Sequence, residues 1–185
     1  MKILFVRHGE TDWNIEKRAQ GRKDIELNQN GVMQALEVKE RLKDVKIDKI
    51  FASPLKRAMK TAEIINENHS LEIISEQALI ERNFGPLEGH QFHGNQWFEC
   101  WNYDLNTQYD MNGECVREFF KRVHLFLDKL LKEDKYETVL LVSHGGVSMA
   151  VDSYFNGIVH GEELPDLKMK NCDVREYIAD TKEKY

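Results

Sequence analysis

Cysteine, long apolar runs and net positive charge are all scarce in this 185-residue sequence, and each scarcity removes a class of protein. The three cysteines, Cys100, Cys115 and Cys172, are odd in number, widely spaced and in no C-x-x-C pair, which argues against both a disulfide framework and a cysteine-bound metal. A reducing, cytoplasmic setting is the expectation. No apolar run approaches the ~20 residues that span a bilayer. The opening Met1–Val6 is too short for a signal sequence before it meets Arg7-His8-Gly9, and reads instead as a first core strand. The formal charge of −6 repels nucleic acid and anionic membrane surfaces, so neither is an expected partner, although a local positive pocket is still permitted. Internal repeats, low-complexity tracts and linkers are missing too.

What is present is the ordinary balance of a soluble domain, long enough for one sizeable core over 1–185. Short apolar strands alternate with helical patterns, which argues for an α/β layer architecture. Strands are expected at Lys2–Val6, Lys49–Ala52, Leu71–Ser75 and Thr138–Val142, with two more in the tail around Leu167–Met169 and Arg175–Ile178. One helix follows Leu27–Gly31, with Val32, Ala35, Leu36 and Leu42 on one face. Another opens at Ser53-Pro54, where serine suits the N-cap and proline the first helical position. Glu114–Lys132 carries a strong apolar stripe, and Gly145-Gly146 begins a helix running to about Phe155. The stretch at about 83–112 is irregular and aromatic, and reads as a lid or substrate wall inserted in the domain.

Two segments carry chemistry. Arg7-His8-Gly9-Glu10-Thr11 directly follows the first strand, and Ser143-His144-Gly145-Gly146 directly follows the later apolar one. Each puts a histidine at the carboxyl end of a strand, where open α/β sheets bind ligands. Each also puts glycine beside it, so that backbone N–H groups can approach an anion closely. Arg57 joins from the first turns of the Ser53-Pro54 helix, whose N-terminus favours negative charge. Alone, a His-Gly after a strand is an ordinary turn, Arg57 a solvated helix residue and Glu81 a surface carboxylate. Together they form a phosphate cradle.

These blocks resemble the histidine phosphatase superfamily, also called the phosphoglycerate mutase-like family. Arg7-His8-Gly9-Glu10-Thr11 with Asn14 is similar to its R-H-G-E-T-x-x-N opening, and Arg18-Ala19-Gln20-Gly21 with Asp24 and Leu27 to R-x-Q-G-x-x-D-x-P-L. Ser53-Pro54-Leu55-Lys56-Arg57-Ala58 with Thr61-Ala62 resembles S-P-L-x-R-A-x-x-T-A. Leu79 and Glu81 through Gly89 resemble L-x-E-x-x-F-G-x-x-E-G, and Val142–Gly146 resembles V-S-H-G-G. Departures are Glu26 for proline, Leu87 for an aromatic residue and Cys115 for serine; none removes a catalytic group. The resemblance implies a three-layer α/β/α fold with a mostly parallel central sheet. It implies that His8 is the nucleophile, forming a phosphohistidine, and that Arg7, Arg57 and His144 hold the equatorial oxygens. Glu81 would protonate the leaving oxygen and then deprotonate the attacking water. Asn14, Gln20, Gly21 and the Gly145 N–H would complete the substrate site. No metal and no other cofactor is implied.

The expected activity is therefore hydrolysis of a small phosphorylated substrate. A cofactor-dependent phosphoglycerate mutase is the alternative among enzymes, and a phospholigand-binding or scaffold module that keeps the fold without turnover is the alternative of another functional class; the latter would be expected to have lost a catalytic group. Between Asn83 and Val116 there is no Lys or Arg, but there are His90, Phe92, His93, Trp97, Phe98, Trp101, Tyr103 and Tyr109. Such a wall suits a neutral, apolar or flat leaving group over a polyanion. The same spacing also fits a short helix packing Trp97, Phe98 and Trp101 onto the core. Arg18, Arg22, Lys23 and Arg82 could bring charge to the pocket from elsewhere.

Overall fold

Lys2–Val6 and Thr138–Val142 are apolar on both faces of the pleat, a pattern satisfied only by strands covered from both sides. The computed structural model, which describes residues 1–107, 113–160 and 164–179, places them at the centre of a five-stranded sheet. Its strands are β1 (Lys2–Arg7), β2 (Lys49–Ala52), β3 (Ile73–Ser75), β4 (Thr138–Ser143) and β5 (Val174–Ile178), in the order β3-β2-β4-β1-β5. All neighbours are parallel except β5, which runs antiparallel along the β1 edge.

The helices are α1 (Asp12–Ile15), α2 (Gln29–Leu42), α3 (Lys56–Asn66), α4 (Gln96–Trp101), α5 (Val116–Glu133) and α6 (Gly145–Asn156). Alternate strand residues face opposite layers. Ile3, Phe5, Val139 and Leu141 pack with α5 and α6 through Phe119, Phe120, Val123, Leu127 and Met149. Leu4, Val6, Leu140 and Val142 pack with α2 and α3 through Val38, Leu42, Ala62 and Ile65. This is a three-layer α/β/α sandwich. Burying each large aliphatic or aromatic side chain on the two faces contributes about 1.5–3 kcal/mol, which fixes the sheet as a rigid base for the loops at its carboxyl edge.

Several expectations are corrected. α3 begins at Lys56 with Leu55 at its N-cap and no side-chain capping bond; the Ser53 hydroxyl accepts from the Leu55 N–H at 3.4 Å and also meets His144. The third strand covers only Ile73–Ser75. Leu167–Met169 is not a strand: a 3₁₀ turn over Leu164–Leu167 runs into a segment whose backbone is held by side chains rather than by a neighbouring strand. α5 starts at Val116, and Cys115 at its N-cap makes no side-chain capping bond, as expected where a thiol stands in for a hydroxyl. The irregular stretch contains α4 and a 3₁₀ turn at Gly85–Leu87; Tyr109 lies outside the described residues. Among the described residues no helix is long and apolar enough to cross a membrane.

Candidate active site

Strand register brings the two histidines together. Arg7 pairs with Ser143 across β1 and β4, so His8 and His144 are the next residues on adjacent parallel strands. The His8 N–H donates to the Ser143 carbonyl at 2.8 Å, and the rings meet edge-on at 5.2 Å. β2 ends level with them, as the Ser53 N–H donates to the Val142 carbonyl at 3.0 Å. Three strand ends and the start of α6 therefore converge on one point.

His8 is oriented by its own loop. Its Nδ1 lies 2.7 Å from the Gly9 carbonyl, and since a carbonyl only accepts, Nδ1 carries the proton and Nε2 presents a lone pair. Burial, reinforced by the charges of Arg57 and Arg7, holds His8 well below the usual imidazole range, so the ring is neutral. His144 is fully buried behind it and kept neutral in the same way, by burial first and then by Arg57. The Ser53 hydroxyl lies 2.6 Å from His144 Nε2, while His144 Nδ1 is buried without a partner. A hydroxyl that donates to Nε2 leaves Nδ1–H as a donor for an anion.

The guanidiniums are fixed by carbonyls. Arg7 donates to the Met169 carbonyl at 2.6 Å. Arg57, fully buried, donates to the carbonyls of Lys23 at 2.7 Å and Gly21 at 2.8 Å. Each keeps a buried Nε with no partner. Burial pushes both down to about 10, the signature of cations whose hydration has been removed and not replaced. With His144 Nδ1 this makes three orphaned donors, an arrangement that a bound phosphoryl group would satisfy.

Glu81 is buried in the cavity lining with Arg7 and Arg57. Its Oε1 accepts from the Arg82 N–H at 2.8 Å and its Oε2 from the Gly146 N–H at 3.0 Å. Position 146 must be glycine, since a Cβ there would collide with the Glu81 carboxylate and with the Trp101 ring. Asn14 caps α1 with Thr11, and its Oδ1 accepts from the Thr11 N–H and from Asn171 Nδ2, leaving its own Nδ2 for the cavity. Gln20 is buried with an unpartnered Oε1 in the cavity wall. Gly21 serves mainly by holding Arg57, and Gly145 lies at the first position of α6 in the lining.

The cavity has a volume of about 540 Å³ and is lined by Arg7, His8, Arg57 and Glu81 at its floor. Phe84, Phe92, Trp97 and Trp101 form its aromatic wall, in a chain of edge-on contacts between 5.2 and 5.8 Å. Both readings of the aromatic stretch hold in part: Trp101 is buried against Phe119, while Trp97 faces the cavity and Phe98, His90 and His93 are exposed. The wall itself carries no Lys or Arg, but Arg18, as the sequence allowed, and also Lys17 and Lys168 reach the lining from other segments, which weakens the case for a neutral leaving group. Arg82 does not reach it; its guanidinium is buried against the carbonyls of Glu114 and Thr107. Among the described residues no three His, Cys, Asp or Glu side chains gather as metal ligands.

Sequence reasoning missed Ser53 as the partner of His144, Asn171, which donates to the His8 carbonyl at 2.9 Å, and Lys168. Ser53 sat in a recognised block but was assigned to a cap. The other two lie in a tail with no local signal, placed only by tertiary contacts.

Such a cradle at the carboxyl edge of a mostly parallel sheet defines a phosphate-transfer protein, and the chain belongs to the histidine phosphatase superfamily. The sequence matches branch 1 of that superfamily over residues 3–184. It is 38% identical over 155 residues to the uncharacterized phosphatase PhoE of Bacillus subtilis, covering 84% of this chain and 77% of that one. It is 35% identical over 179 residues to the probable phosphoglycerate mutase GpmB of Salmonella paratyphi A, covering 94% and 83%. The solved α-ribazole phosphatase of Shigella flexneri superposes with a TM-score of 0.83 at 26% identity, over 98% of this chain and 92% of that one.

Proposed function

We propose that the protein is a cytoplasmic phosphoric monoester hydrolase that acts on a small phosphorylated metabolite through a phosphohistidine on His8, without a metal. One observation carries this reading: the His8 Nδ1–H is tied to the Gly9 carbonyl, so a neutral Nε2 lone pair is left free on a residue that lines the cavity together with Arg7 and Arg57. Nε2 attacks phosphorus in line, and the bond from phosphorus to the ester oxygen breaks as Glu81 gives that oxygen its proton. Water then attacks the phosphohistidine, Glu81 takes its proton back, and inorganic phosphate leaves. Arg7, Arg57 and the His144 Nδ1–H hold the equatorial oxygens, supplying the charge stabilisation that a divalent ion provides in other phosphotransfer sites. The free cysteines fit a reducing compartment.

The likeness to a probable phosphoglycerate mutase supports the second reading, separated by whether 3-phosphoglycerate is isomerised and 2,3-bisphosphoglycerate required. A non-catalytic binding module is disfavoured, since nucleophile, arginines and acid are all in place. The test is a screen over many phosphoesters with EDTA and with His8→Ala. EDTA is expected to leave the rate unchanged and His8→Ala to abolish turnover. Activity lost to EDTA and restored by Mg²⁺ would overturn the mechanism.

A further inference from the structure

We propose that Lys168 selects the substrate, its ammonium pairing with a carboxylate on the leaving group of the phosphoester. The inference deepens the phosphomonoesterase reading and rests on it. Lys168 lines the cavity, and its Nζ lies 4.4 Å from the centroid of the Trp97 ring. That puts the charge against the aromatic wall and within electrostatic reach of Glu81, the proposed leaving-group acid. The stem rests on Gly145, where a Cβ would come within 2.7 Å of the lysine Cε. The root of the side chain is anchored to the phosphate floor. The next residue, Met169, gives its carbonyl to Arg7 at 2.6 Å and its N–H to the Ser148 hydroxyl at 3.2 Å. The ammonium is thus held over the cavity by packing on both sides.

What it lacks is an anion. Among the described residues its Nζ makes no hydrogen bond and no ion pair, only the contact with the Trp97 face. Arg7 from β1 repels it and Glu81 attracts it, with His8 near both. Lys17 and Arg18 line the same cavity and add no negative charge. Burial, then Arg7, pushes Lys168 down to about 8. The transferring phosphoryl group already has three orphaned donors of its own. A second negative group in the same substrate is what this lysine is left to meet, and a carboxylate gives it a charge-assisted hydrogen bond while the remaining carbon skeleton lies on Trp97.

O-phosphoserine and O-phosphoethanolamine differ only in the carboxylate, and isolate the effect. The parent enzyme is expected to prefer O-phosphoserine in kcat/KM by about tenfold or more, the size of one charge-assisted hydrogen bond. Lys168→Met is expected to erase that preference by lowering kcat/KM for O-phosphoserine alone, and Lys168→Arg to restore it. Because kcat/KM follows the free enzyme, the parent's preference should fade as pH rises past about 8, whereas the Lys168→Arg preference should persist. An equal fall on both esters would place Lys168 on the transferred phosphoryl group and overturn the proposal, as would no fall on either. Calorimetric titration of the two esters into His8→Ala, with and without Lys168→Met, reads the same preference as a ratio of Kd values. If the parent turns over neither ester, the hydrolase reading is left to the wider phosphoester screen. The Kd ratio still decides the lysine: a preference removed with Lys168 supports its role, and equal affinities overturn it.

Discussion

A neutral imidazole attacks phosphorus only when its lone pair faces the substrate, and holds a phosphoryl oxygen only when its N–H does; here one hydrogen bond per histidine sets the tautomer. For His8 the partner is the Gly9 carbonyl; for His144 it is the Ser53 hydroxyl, 2.6 Å away. Ser53→Ala removes the group that directs the His144 proton to Nδ1. The expected outcome is a fall in kcat of about 10- to 100-fold with a smaller change in KM, at a stability cost of about 1 kcal/mol, checked by steady-state kinetics and urea unfolding. An unchanged kcat would remove Ser53 from this role. At this scale His8, His144 and Arg57 stand out because each lies in a short block at a strand end or helix start, whereas Glu81, past the 3₁₀ turn Gln77–Leu79, is marked only by the resemblance of its block. Ser53 was misread because a local preference for a cap says nothing of the buried tertiary partner that its hydroxyl also meets. Lys168 was invisible, since nothing near it in sequence announces that Trp97 and Gly145 will embrace its side chain.

Between the sheet and the aromatic stretch the connecting element is Arg82, fully buried beside the proposed acid. Its guanidinium donates to the carbonyls of Cys100, Glu114 and Thr107, and lies over the rings of Trp101 at 5.1 Å and Phe84 at 5.5 Å. Its N–H holds Glu81 Oε1. Lid position and acid position therefore depend on two adjacent residues. Arg82→Met leaves three carbonyls without their donor and should destabilise the protein by about 3 kcal/mol. It should also raise KM more than it lowers kcat, because the aromatic wall loosens while the phosphate floor is untouched. Thermal unfolding and kinetics together check this, and a variant as stable as the parent would contradict it. Strong periodicity made α5, β1 and β4 legible, since each buries a continuous face. The lid and tail were not: α4 is six residues long, and the segment after Leu167 takes its shape from Arg7 and Ser148.

The molecule as a whole concentrates desolvated positive groups and two neutral histidines at one edge of its sheet. His8 and His144 are both held well below the usual imidazole range, whereas the unfolded chain protonates them near 6.5. As pH falls through 6.5 the unfolded state binds protons that the folded state refuses. Stability is present above that range and declines below it, by up to ~1.4 kcal/mol per pH unit for each histidine. The urea midpoint at pH 5 should thus lie below that at pH 7, and phosphate should raise both by binding only the folded state. Equal midpoints at the two pH values would count against the buried neutral pair. The register of β1 on β4, which brings residues 8 and 144 side by side, underlies all of this. Its most direct test is intact-mass and fragment analysis of enzyme quenched in alkali during turnover, with Glu81→Gln to slow release of the intermediate. The account predicts one added phosphoryl group, located on His8 and absent from His8→Ala. A phosphoryl group on any other side chain, or turnover by His8→Ala, would contradict it.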